Sequence, residues 1–412
     1  MVSGPLASPR EMTWLWREHP RGFLHEFLLI VVGLGFLVSP EPLWSDIFYA
    51  GILPLFLYET AKGRGVPPLR TWPPVLGLGV ALIAWFSVGI LTHATDWHEA
   101  GSACFWLWNM LNTTVYVLVL TDALMTRPDF RERLMQVLIA AATLNAIIAF
   151  ARLPFHMQRE WEGNVLRMEG WAETKHQILG ATIMGAVLLM AQAEALRTGQ
   201  RRYWLAGLTV LAFIVLTGSR GPLLAVGAAS LVLFGLQRPK VLLVPAAASV
   251  AMAGLAWFSP TSLPARMIRE QLGRGDSHRL RIWHEAWDAI GQAFWVGHGP
   301  SYKLSVPGES FPHNLLLSTW LYAGVIGVAL LGAYLACVLG NVLAPRNRAR
   351  RPLGLALVVH TLLSAMTDFG QVIKGPSPMW YMFWLTTLVA ACPVARLQPD
   401  KTFRPTSQGC TR

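Results

Sequence analysis

Charge is what this chain has least of. Only 14% of its 412 residues are Asp, Glu, Lys or Arg, against 53% hydrophobic, and the mean hydropathy is +0.42. Soluble domains carry about a quarter charged residues, so a water-solvated globular fold is excluded. Strand-length segments of alternating polarity are missing too, which excludes a transmembrane β-barrel. There are four cysteines: Cys104, Cys337 and Cys392 lie in or beside apolar runs and Cys410 is in the tail. No CxxC pattern occurs, so neither a disulfide framework nor a zinc ribbon is expected. HExxH, GxSxG, the P-loop and GxGxxG are all absent. Asp96 and Glu99 do not form a cation-binding pair, so no metal and no cofactor is expected. The opening MVSGPLASPREMTWLWREHPRG is too polar for a signal-peptide core, and the first apolar run is expected to be retained.

What the chain does have is apolar runs of about 17 to 25 residues, the length that crosses roughly 30 Å of hydrocarbon as a helix. About twelve such spans can be drawn: 23–39, 43–59, 73–91, 103–122, 134–151, 176–195, 203–218, 221–236, 240–258, 313–341, 353–367 and 379–395. The fold expected is all-α: one polytopic membrane domain over residues 1–412, with a single large outer loop at 259–312. With the N-terminus inside, 22 of the 34 Lys and Arg fall on inner segments. This is the positive-inside distribution and places both termini in the cytoplasm. The net charge of +11 is thus mostly orienting charge facing membrane lipids; no nucleic-acid partner is implied. Of the basic residues left outside, Arg152, Arg159, Arg167, Lys175 and Lys374 are scattered. Arg220, Arg266, Arg269, Arg274, Arg279, Arg281 and Lys303 gather in one turn and the long loop.

Arg220 sits in TGSRGP, between two apolar runs. It is either a headgroup-snorkelling arginine or an anion clamp at a cavity mouth, and its place on the side where arginine is disfavoured favours the clamp. Residues 277–294 have helical periodicity. One stripe holds Arg279, Ile282, Trp283, Ala286, Trp287 and Ile290, while the opposite face is expected to pair Arg281 with Glu285 and His284 with Asp288. Arg279 heads the apolar stripe with no acidic residue at i+3 or i+4, in a first turn where its charge opposes the helix dipole; a site role explains it better than packing. Arg266 is a further arginine of the loop. His313 is expected in the first turn of a helix capped by Ser310, where a neutral, proton-accepting imidazole is favoured. Asn314 satisfies backbone at that helix start, and His298 belongs to a glycine turn in VGHGP.

At TGSRGP, SHRLRIWHEAW, VGHGP and FPHN the chain resembles the O-antigen ligase and polymerase superfamily, and within it the O-antigen ligases most. The resemblance implies a GT-C-like glycosyltransferase of the bacterial inner membrane, active at the periplasmic face, inverting and metal-independent. It would transfer O-antigen from undecaprenyl diphosphate to a sugar of the lipid A core. It puts the family's functional arginines on Arg220 and Arg279 and its histidine on His313. Arg220 and Arg279, with Arg266, would hold the diphosphate, His313 would be the base, and Trp283 and Asn314 would support them. The family's basic residue in an early outer loop has no counterpart in LTHATDWHEAGS. The alternatives are an O-antigen polymerase using the same donor and, from another class, a twelve-helix transporter.

Overall fold

The computed structural model describes residues 22–38, 41–63, 72–93, 97–160, 167–242, 279–306 and 311–392. Among them every regular element is helical: α1 (Gly22–Leu34), α2 (Glu41–Ile47), the π-helical Phe48–Ile52, α3 (Leu53–Ala61), α4 (Pro74–His93), α5 (Trp97–Thr126), α6 (Phe130–Glu160), α7 (Gln177–Thr198), α8 (Arg201–Leu216), α9 (Arg220–Gln237), α10 (Arg279–Gln292), α11 (Leu315–Leu343), α12 (Arg351–Ala365), the π-helical Trp380–Leu385 and α13 (Thr386–Ala391). Helices satisfy their own backbone groups, which an apolar chain in lipid requires.

The expectation of about twelve spans is corrected here. Among the described residues, six helices are long and apolar enough to cross a membrane: Pro74–Thr92, Ser102–Thr126, Phe130–Arg152, Gln177–Thr198, Arg220–Gln237 and Leu315–Leu343. Hydropathy counts apolar residues but not helix continuity. The first run stops as a helix after 13 residues, about 20 Å at 1.5 Å per residue. The second is divided by a π-helical stretch, α8 has 16 residues, α12 has 15, and the last run opens in π-helix. The ninth run, at 240–258, lies almost wholly outside the described residues, as do Arg266 and much of the expected 259–312 loop.

Large apolar side chains face outward as well as inward, and some polar ones are buried. Leu224 is 73% exposed and Leu205 64%, whereas Asn112, Thr113, Asn145, Thr174 and Glu194 are buried. Apolar residues facing outward and polar ones facing inward are what a multi-pass membrane bundle requires. The densest aromatic packing lies at Trp380, whose ring stacks on Tyr116 at 4.3 Å and meets Phe48 edge-on at 4.7 Å.

Two irregular segments place the site. The first is a break in α11 at Gly324, with φ 66 and ψ −173. Carbonyls freed by the break are taken up from outside the helix: Leu321 O accepts from His298 N at 2.8 Å and Tyr322 O from Gly299 N at 3.0 Å, and Ala323 O accepts from Trp85 Nε1 at 2.8 Å. The VGHGP turn is therefore seated in the break, with Gly297 and Gly299 at φ 72 and 77. A Cβ on Gly297 would lie 2.4 Å from the Tyr322 carbonyl carbon, so only glycine permits this approach. The second is the segment 366–377 between α12 and the π-helix. It is held by side chains from several helices: Thr113 Oγ1 donates to Ile373 O at 3.0 Å, Trp384 Nε1 to Val372 O at 2.8 Å, and Asn109 Oδ1 accepts from Gly375 N at 3.0 Å.

Candidate functional site

His313 is not in the first turn of its helix, as the sequence pattern suggests. The first helical residue is Leu315, and the cap is Asn314, whose side chain accepts from Leu316 N at 3.0 Å and Leu317 N at 3.1 Å. Asparagine is among the best cap residues because its short oxygen reaches the N2 and N3 donors. His313 precedes the cap with φ 54, a left-handed backbone that costs a non-glycine residue about 1–2 kcal/mol. Three contacts fix it there. Trp283 Nε1 donates to Pro312 O at 2.9 Å, Asn314 anchors the other flank, and His313 Nδ1 lies 2.6 Å from Asp368 Oδ1.

The last contact sets the chemistry of the ring. A carboxylate accepts hydrogen bonds only, so Nδ1 carries the proton and Nε2 is the proton-accepting nitrogen. Asp368, with its side chain 5% exposed, is withdrawn from water, while His313 at 21% reaches the surface of a cavity. The cavity holds about 600 Å³; besides the pair, its wall includes Lys303, Lys374, His176 and Gln371. Phe311, with its ring centroid 4.0 Å from that of His313, closes one side of the imidazole. Among the described residues no three His, Cys, Asp or Glu side chains gather as metal ligands would.

Three of the four sequence motifs meet at the 366–377 segment, and the fourth is tied to them through FPHN. Asp368 binds FPHN through His313. Gln371 Nε2 donates to Pro300 O of VGHGP at 2.8 Å. Thr367 lies against the TGSRGP turn, where a Cβ on Gly221 would fall 2.8 Å from its Oγ1. The loop helix α10 joins through Trp283 and Pro312. Arg220 is the first residue of α9, exposed, directly after Gly218 at φ 62 and the cap Ser219. Arg279 is the first residue of α10 and half-buried. Neither arginine is among the residues lining the cavity, though Arg220 opens α9 beside Thr367. α10 buries Ile282, Ala286, Ala289 and Ile290, but Trp287 is 56% exposed. His284 stands 3.9 Å from Asp288 as expected; Glu285, expected to pair with Arg281, accepts from the backbone N–H of Ser305 instead.

Sequence reading missed Asp368 and set Lys374 and Arg167 aside. An acidic residue closing an apolar run, in TDFGQVIKGP, was the available signal. Arg167 clasps the turn that carries Arg220, donating from Nε to Thr217 O at 3.1 Å and from a terminal nitrogen to Ser219 Oγ at 3.2 Å.

Fold and site together define a multi-pass membrane protein with a charged cavity in which a carboxylate orients a histidine. A family model described as O-antigen ligase matches residues 205–332, the stretch that carries TGSRGP, α10, VGHGP and FPHN. Over 378 residues the chain is 25% identical to a Pseudomonas aeruginosa protein named O-antigen ligase, covering 87% of each chain. The chain is thus similar to O-antigen ligases, over residues 205–332 by the family model and over most of its length by this relative.

Proposed function

We propose that this protein transfers O-antigen polysaccharide from undecaprenyl diphosphate to a sugar of the lipid A core, at the periplasmic face of the bacterial inner membrane. The observation that carries the reading is the His313–Asp368 pair at 2.6 Å, opening on a cavity that also holds Lys303 and Lys374. His313 Nε2 takes the proton of the acceptor hydroxyl as that oxygen attacks the anomeric carbon from the face opposite the diphosphate; Asp368 stabilises the imidazolium that forms. Inversion follows from the single displacement. Negative charge grows on the departing diphosphate, where cationic donors stabilise it. Lys303 and Lys374 supply charge from the cavity wall. Arg220 and Arg279 supply planar forks, and Arg266, outside the described residues, is a further candidate from the sequence. Trp283 and Asn314 hold the backbone on either side of His313.

Purified protein, supplied with lipid-linked O-antigen and core lipopolysaccharide in the presence of a chelator, is expected to consume the donor and lengthen the core lipid. Glycan growth on the lipid carrier without core would show a polymerase instead. Movement of intact donor across a liposome bilayer without consumption would show a transporter.

The orientation rests on the positive-inside rule, with Arg346, Arg348, Arg350 and Arg351 clustered after the end of α11 that lies away from His313. In a variant lacking native cysteines, Ser305→Cys is expected to react with an impermeant maleimide in intact spheroplasts and Ala349→Cys only after permeabilisation. The reverse pattern would invert the topology and move the site to the cytoplasm.

A further inference from the structure

We propose that His176 is a second catalytic imidazole, whose Nε2–H donates a hydrogen bond to the diphosphate oxygen that leaves the anomeric carbon. The inference rests on the transfer reaction proposed above. His176 caps α7, its Nδ1 accepting the backbone N–H of Leu179 at 3.3 Å. A ring nitrogen that accepts has no proton, so in the neutral ring the proton is on Nε2. His176 and His313 line the same cavity, and their partners fix opposite tautomers. Asp368 makes His313 Nε2 an acceptor, and the helix N–H makes His176 Nε2 a donor. One cavity thus offers what a displacement needs: a base for the oxygen that loses a proton and a donor for the oxygen that gains charge.

Two further observations place His176 on the anion side. The neighbouring Gln177 carbonyl accepts from Ser219 Oγ at 3.3 Å, so His176 stands next to the turn from which Arg220 opens α9. An anion is also kept from Asp368 by like charge, which leaves it to the rest of the cavity wall, where Lys303, Lys374 and His176 stand. Capping alone does not explain a histidine here, because Ser, Thr, Asp and Asn cap better and fit more easily.

In the step itself the acceptor oxygen bonds to the anomeric carbon and its proton passes to His313 Nε2. The bond from that carbon to the diphosphate oxygen breaks, its electron pair staying on the oxygen, where the His176 Nε2–H bond meets the new charge. His176 keeps its proton, and His313 later gives its own to water.

The test uses His176→Asn in the full-length protein, reconstituted in lipid with polyprenyl-diphosphate-linked glycan and core lipopolysaccharide. Asparagine preserves the cap and removes the ring. The expected result is a kcat about 10²- to 10³-fold lower, the loss typical of one donor to a developing oxyanion. KM for the donor and the melting temperature are expected to stay near those of the unmodified protein. Unchanged kcat would reduce His176 to a helix cap, and a kcat loss accompanied by a lower melting temperature would assign it to the fold; either overturns the inference. If the unmodified protein transfers no glycan, the transfer reading fails first and takes the inference with it.

Discussion

Asp368→Asn is expected to lower turnover about 10²- to 10⁴-fold while protein level and donor binding stay close to normal. The substitution is isosteric and removes a buried charge, so the fold tolerates it. What it removes is the negative charge 2.6 Å from His313 Nδ1, which both selects the tautomer with a basic Nε2 and stabilises the imidazolium after proton transfer. An amide also presents N–H groups to Nδ1, favouring the tautomer with the proton on the wrong nitrogen. Initial rates at saturating donor and acceptor, beside donor binding measured separately, check this. Near-normal turnover would take Asp368 out of the mechanism.

His313→Asn and His313→Gln are each expected to lower turnover by up to about 10⁴-fold, the range for a positioned general base. The backbone governs the choice of variant. At φ 54 alanine would add conformational strain, whereas asparagine enters the left-handed region readily and keeps a hydrogen-bonding group. Donor binding should remain, because the proton transfer is made in the transition state and not on binding. Substantial turnover by the Gln variant would mean that His313 orients the acceptor through a hydrogen bond. Loss of donor binding in both variants would move His313 into the diphosphate site.

The sequence by itself determined the membrane class, the all-α content and the four stretches around which the site is built. These are local properties: apolar run length, glycine and proline at sharp turns, and helical period in α10. His313 and its support by Trp283 and Asn314 were within reach for the same reason, since all three lie within 32 positions in the chain. The number of long spans was not, because a hydropathy window does not register where a helix stops or turns to π-helix, as it does after Leu34 and at Phe48–Ile52. The partner of His313 was not legible either. Asp368 lies 55 residues away, and only the packing of α9 on α12 and of the VGHGP turn into the α11 break brings the 366–377 segment under the histidine. Cavities belong to the same class of fact. Lys374 looked like a scattered outer residue, and His176 carried no signal, until tertiary structure set them on one wall with His313, because proximity across helices is fixed by side-chain packing and leaves no periodic trace in the chain.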